Sequence, residues 1–305
     1  MAEYRPLYDE TGPVPEGAAD GDGPVLLHAF QGFLDAGSSG ELVAAHLKRS
    51  LPGRELVRFD LDELFDYRSR RSSLVFSRDH YEEYDAPELT LHELQDAAGE
   101  RFLLLSGPEP DLRWSGFVRD VIGLVDRLGV RLTVGVGGVP MTVPHTRPIT
   151  LTMHGTRPEL VTQQNPWQGM LRVPGSVAAL LELRLGESGH DAVGFVAHVP
   201  HYTAGMEYPD AAAALLAGVG SATGLSLPAG ELAEAGAERV REIETQVRES
   251  AEVQAVVTAL EQQYDASLGA QGPGLAQRDL PSGEEIGAEL ERFLAQLDHG
   301  DDKSS

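Results

Sequence analysis

The sequence predicts an α/β protein, a mostly parallel sheet covered by helices on both faces, with a helical addition towards its C-terminal end. Three observations predict it. Short apolar runs alternate with stretches of helical periodicity from Val25 to Val219. Several of those runs stop at Gly- or Pro-bearing turns, as buried strands do. After Leu227 the texture changes to long, charged, glycine-poor stretches.

The organising stretch is Val25 to Leu47. Val25–Phe30 is apolar throughout and fits a buried strand. It stops at Gln31-Gly32, and a turn over residues 33–37 leads into a helix. Ser38 with Glu41 three residues on has capping-box spacing, so Ser38 is the expected cap. Glu55–Leu61 alternates as a second strand, and Leu89–Leu94 and Arg101–Leu105 give two more. Gly107-Pro108-Glu109-Pro110 breaks the chain before a helix with Phe117, Val121, Leu124 and Leu128 inward, closed by Gly129. Val130–Val136, Ile149–His154 and Asp191–Val199 complete about seven strands. Helices fall at Ser176–Gly186 and from Pro209 to Val219. Glu231–Tyr264 reads as one long helix with a narrow stripe of Val240, Ile243, Val247, Ala251, Val256 and Leu260, and Ser282–Leu297 as a last amphipathic one. The expected divisions are a flexible lead-in at 1–23, the α/β core at 24–227, a helical region at 228–298 and a disordered tail at 299–305. Residues 62–86, rich in arginines, acids and aromatics, form an excursion that reads as a solvated loop, or else as a lid or subunit contact.

Composition narrows the function classes. Of 305 residues, 48 are acidic and 24 basic, for a formal net charge of -24. Nucleic-acid binding needs a positive footprint, so it is disfavoured. No apolar run approaches the length of a membrane span, and the first residues lack a signal-peptide pattern. There is no cysteine, which excludes disulfides and thiolate chemistry. A cytoplasmic location is expected. No dinucleotide fingerprint, P-loop or nucleophile elbow is present, and no histidine pair has metal-ligand spacing, so no cofactor and no metal are expected.

Chemistry, if present, belongs where the parallel strands end. Four exits, at Gln31-Gly32, Ser106-Pro108, Gly137-Pro140 and Pro200-Tyr202, share one edge if their strands run parallel, and open α/β sheets bind ligands there. The candidate ligand-binding set is Gln31, Phe33, Asp35, Ser38, Glu109, Gly137, Gly138, His145, Arg147 and His201. Asp35 is either a turn-forming residue or a carboxylate beside the helix amides. Arg147 is either an anion contact or a surface residue held extended by Pro144 and Pro148. No catalytic residue is identified.

Three segments together resemble a known family: HAFQGFLDAGSSG at 28–40, LLLSGPEPDLRW at 103–114 and GVGGVPMTVPHTRP at 135–148. In this order they resemble the bacterial branch of the proteasome-assembly-chaperone family, over roughly Val25–Tyr208. The resemblance implies a three-layer α/β/α fold like that of nucleoside phosphorylases and related hydrolases. It also implies self-association, a trimer among the options, and it implies no reaction. The expected function is a non-enzymatic binding or protein-assembly factor with a protein partner. The alternative is an enzyme or sensor for a small anionic or nucleoside-like ligand at the sheet edge.

Overall fold

The structure is a computed structural model and describes residues 4–15, 23–162 and 170–269. In chain order its elements are β1 (Tyr8–Glu10), β2 (Val25–Gln31), α1 (Ser39–Ser50), β3 (Gly53–Phe59), the one-turn α2 (Leu61–Leu64), and the hairpin strands β4 (Leu74–Ser77) and β5 (His80–Tyr84). There follow β6 (Thr90–Gln95), β7 (Arg101–Pro108), α3 (Trp114–Leu128), β8 (Leu132–Met141), β9 (Leu151–Gly155), α4 (Val177–Glu187), β10 (Ala192–Pro200), α5 (Pro209–Thr223), α6 (Gly230–Glu249) and α7 (Ala251–Gly269).

Eight strands make one sheet in the order β1-β3-β6-β7-β2-β8-β10-β9. The central four, β7, β2, β8 and β10, are mutually parallel. The flanking strands β6, β9 and β1 each pair antiparallel with their neighbours. The expected mostly parallel α/β architecture is therefore what forms. Alternation along β2 feeds two cores. Val25, Leu27 and Ala29 pack with α1 and α5, through Val43, Leu47, Leu215 and Val219. Leu26 and Phe30 face α3 and α4, meeting Phe117, Val121 and Leu181. Each such side chain, once fully buried, contributes about 2 kcal/mol. Gly129 closes α3 in the left-handed region at φ 63°, as its position predicts.

The structure departs from expectation at four places. Tyr8–Glu10, assigned to a flexible lead-in, adds a strand to the edge of β3, because Leu7 beside it is an apolar anchor only 3% exposed. The 62–86 excursion is a one-turn helix followed by a hairpin that pairs with itself. The single long helix divides at Ser250, whose backbone is extended at φ -132°, ψ 116°. Ser250 Oγ accepts from Val253 N at 3.4 Å, capping α7. This break moves the apolar stripe onto Val257 and Leu260, which are buried, and leaves Val256 exposed. Finally, Ser38 is not the helix cap, as described below. The amphipathic segment expected at 282–297 and the tail lie outside the described residues. The chain divides into two compact units, residues 1–261 and 262–305.

Candidate functional site

Because β7, β2, β8 and β10 are adjacent and parallel, their four exits meet on one edge. The segment following β2 crosses that edge. Asp35 makes a parallel bridge with Gly138, and Gly138 N donates to Leu34 O at 2.9 Å. Gly37 N donates to Ala204 O, and Tyr208 N donates to Gly37 O, both at 2.9 Å. So the turn after β2 is stitched to the end of β8 and to the segment that follows β10.

That stitching needs glycine. A Cβ on Gly137 would lie 2.4 Å from Leu34 O, and one on Gly138 2.7 Å from Ala36 O. The close approach that Gly137 and Gly138 permit is thus occupied by the protein's own 34–39 segment. Gly37 takes φ 69°, a conformation costly for other residues, with Tyr208 Cβ 2.9 Å from where its own Cβ would be.

Asp35, and not Ser38, caps α1. Its Oδ1 accepts from Gly40 N at 2.6 Å, while Ser38 sits in the left-handed region at φ 48° and makes no side-chain cap bond. A carboxylate at a helix start is favoured by the free amides. Burial works against it more strongly and pushes the Asp35 carboxyl up to about 6.

Glu109 holds the other half of the rim together. Its Oε2 accepts from Phe33 N at 3.1 Å and its Oε1 from Val177 N, the first residue of α4, at 2.7 Å. Its own N–H donates to Gln31 O at 2.9 Å. Arg70, at the foot of the hairpin, lies over the Phe65 ring and donates to Glu109 O at 2.5 Å and to Asp111 Oδ2 at 2.6 Å. Asp111 Oδ2 also accepts from Asp66 N at 2.8 Å. Gln31, Phe33 and Glu109 therefore form one network with the hairpin base.

His145 and Arg147 belong to the β8–β10 half. His145 is 5% exposed; its N–H donates to Tyr202 Oη at 2.8 Å and its Nδ1 lies 2.7 Å from the same hydroxyl. The one hydroxyl therefore meets both the backbone N–H and the ring Nδ1 of His145. That Nε2 and the buried Tyr208 hydroxyl have no hydrogen-bond partner among the described residues. Burial lowers the His145 pKa, partly offset by Glu244 and Glu261, and raises that of Tyr202 to about 12. Arg147 pairs with Glu261 of α7 at 3.1 Å. His201 is exposed and meets the Tyr202 ring edge-on, with centroids 5.3 Å apart.

The candidate residues thus fall into two groups, bridged by Asp35, Gly137 and Gly138. His198, a further histidine of this edge, is a satisfied core residue between Thr150 and Thr152 hydroxyls, each 2.8 Å away. Sequence reasoning missed Arg70, Tyr202, Tyr208 and Glu261. Arg70 and Glu261 reach the rim from distant chain positions and leave no local signal. Tyr208 precedes the helix-opening Pro209 and looks like ordinary punctuation. Among the described residues no group of three or more His, Asp or Glu side chains is placed to hold a metal ion.

An α/β/α protein whose strand exits are cross-linked by its own side chains defines a class of scaffold before it defines a chemistry. Residues 29–248 match the family model described as the PAC2 family, and the chain belongs to that family. Among solved structures it is similar to a Mycobacterium tuberculosis protein of unknown function, at 49% identity and TM-score 0.84, covering 88% of this chain and 95% of that one. A Corynebacterium glutamicum protein of unknown function is 39% identical at TM-score 0.82, covering 87% and 99%. A Mycobacterium tuberculosis proteasome-assembly chaperone homologue is 26% identical at TM-score 0.70, covering 76% and 99%. No curated protein matches the chain.

Proposed function

We propose that this protein is a non-enzymatic assembly factor that binds other protein chains through the rim of its sheet and the adjoining hairpin. The observation that carries this reading is what the rim leaves uncovered. Its polar groups are mostly spent on one another, while Phe33 and Leu112, on two rim loops, are 59% and 50% exposed. The hairpin next to them exposes Phe76 and Tyr81, at 59% and 68%. A lone two-stranded hairpin is marginal in water, and large exposed apolar side chains on it suit a protein surface. The relationship to a proteasome-assembly chaperone homologue supports a partner drawn from proteasome subunits. Self-association, a trimer among the options, belongs to the same reading through the family resemblance, and the exposed hairpin is a surface available to it. Among the described residues no helix is long and apolar enough to cross a membrane, which accords with a cytoplasmic role.

The test is to mix the chain with proteasome α and β subunits and follow assembly on native gels. The reading predicts a stoichiometric complex with a subunit and a changed rate of assembly. No complex and an unchanged rate, with turnover of a small molecule, would overturn it.

A second reading, a small-ligand site, is favoured by the buried, unpartnered His145 Nε2 and Tyr208 hydroxyl. The tyrosine hydroxyl can donate to an anionic or carbonyl oxygen, and the ring nitrogen donates or accepts according to its tautomer. Calorimetric titration with inorganic phosphate and nucleosides, repeated on His145→Ala, tests it; heats unchanged by the substitution count against it.

A further inference from the structure

We propose that the outer edge of β3, together with Asp120 of α3, is a strand-acceptor site, and that the N-terminal segment 4–12 is its exchangeable ligand, which a second copy of this chain can donate.

Asp120 is 5% exposed, and a buried carboxylate must be hydrogen-bonded. Among the described residues its hydrogen-bond donors come from the N-terminal segment: Leu7 N donates to Oδ2 at 2.8 Å and the Tyr4 hydroxyl donates to Oδ1. From α3 itself comes Arg119, whose Nε stands 4.0 Å from Oδ1 and whose guanidinium covers the Tyr4 ring at 3.8 Å. The body of the protein thus supplies a buried acceptor whose hydrogen-bond donors lie in a separate piece of chain.

The remaining contacts have the same character. Tyr8, Asp9 and Glu10 pair antiparallel with Phe59, Arg58 and Val57, and Asp60 N donates to Leu7 O at 2.8 Å. Leu7 is 3% exposed and fills the space over Gly116 of α3, where a Cβ would lie 3.0 Å from Leu7 Cδ1. Glu10 pairs with Arg127 at the other end of α3. This is β-strand addition with one apolar anchor, two polar clamps and a main-chain ladder.

Pro13 O accepts from Arg54 at 3.1 Å, Val14 packs on the α3-side core and Pro24 O accepts from Arg131 N at 3.1 Å, so the connection between the segment and β2 is residues 16–22, which include Gly17 and Gly21. Fully extended, seven residues reach about 25 Å, enough to pass the segment to a copy packed alongside. A short segment held by one edge ladder, one apolar anchor in the α3-side core and its polar clamps on α3 opens at lower free energy than the domain unfolds. When it leaves, β3 presents an unpaired edge beside the Asp120 carboxylate, which loses its Leu7 and Tyr4 donors and keeps Arg119 at 4.0 Å, and the ligand that restores both the ladder and those hydrogen bonds is the same sequence from another chain.

The experiment uses the full chain with a protease site inserted between residues 16 and 22. After cleavage, fragment 1–15 should stay bound through gel filtration and be displaced by an excess of a dye-labelled synthetic peptide of residues 1–15. The uncleaved chain should take up the same peptide far more weakly, because its tethered segment competes at millimolar effective concentration. A peptide carrying Leu7→Ala should bind at least about tenfold more weakly, and one carrying Tyr4→Phe should bind more weakly by a smaller factor. Both changes leave the acceptor untouched, so folding of the protein is not at issue. A fragment that never exchanges, or that is lost and not replaced by peptide, overturns the proposal. So does unfolding of the core on cleavage, which would make the segment part of the folding unit.

Discussion

Removing the Glu109 carboxylate should loosen two separate segments at once. Its two oxygens accept from Phe33 N at 3.1 Å and from Val177 N at 2.7 Å, and the second of these is a free amide at the start of α4. Hydrogen bonds to a charged group contribute about 1.5–3 kcal/mol each when buried, and less where water can substitute. Glu109 is half-buried, so Glu109→Ala should cost about 2–3 kcal/mol in all. For a domain of this size that is a fall in Tm of about 5–10 °C. Glu109→Gln keeps one acceptor oxygen and should cost about half as much. Thermal melts give the stability, and hydrogen exchange resolves the mechanism: protection at the Phe33 and Val177 amides should fall together in Glu109→Ala. If melting is unchanged, or if only one of the two amides loses protection in the alanine variant, the reasoning is wrong.

Three other outcomes follow from the same geometry. Gly137→Ala should destabilise by about 2 kcal/mol or more, since its Cβ would meet backbone at 2.4 Å, and urea unfolding measures it. His28 is buried with a pKa lowered to about 4 from 6.5, so the folded state binds fewer protons than the unfolded state in that window. Stability from this group is complete above pH 6.5 and is lost as the pH falls towards 4, by up to about 3 kcal/mol; His28→Phe should flatten the urea-midpoint profile there. Asp35 has the opposite sign: with its pKa raised from 3.8 to about 6, its contribution is complete below pH 3.8 and is lost as the pH rises through 6. Asp35→Asn keeps an oxygen for Gly40 N and should gain about 1–2 kcal/mol on wild type at neutral pH, after allowance for solvent screening.

Much of the fold was legible because its signals are local. The apolar run of β2, the punctuation at Gly107-Pro108 and the closing Gly129 each encode an element within a few residues. The shared rim was legible too, since strand–helix alternation fixes which ends of parallel strands lie together. What the sequence hid depends on long-range partners. Ser38 has capping-box spacing, but the chain turns left-handed there, and Asp35 reaches the helix amides first. The two glycines after Val136 suggested room for a ligand, and that room is taken by the 34–39 segment, which no local pattern announces. Leu7 and Tyr8 sit in a Pro/Gly-rich context that resembles a linker, and their order comes from distant partners, the edge of β3 and Asp120, the latter more than a hundred residues later. Ser250 was legible in principle, as a serine followed by a fresh apolar repeat, but the charged texture on both sides masked the break.

Whether the rim and hairpin act as a protein-binding surface is tested most directly by hydrogen exchange of the full chain with and without proteasome α subunits. The predicted result is new protection confined to the turn after β2, the hairpin β4–β5 and the loop at Asp111–Arg113. Exchange that is unchanged by the subunits, while inorganic phosphate or a nucleoside protects the segment around His145, would contradict it.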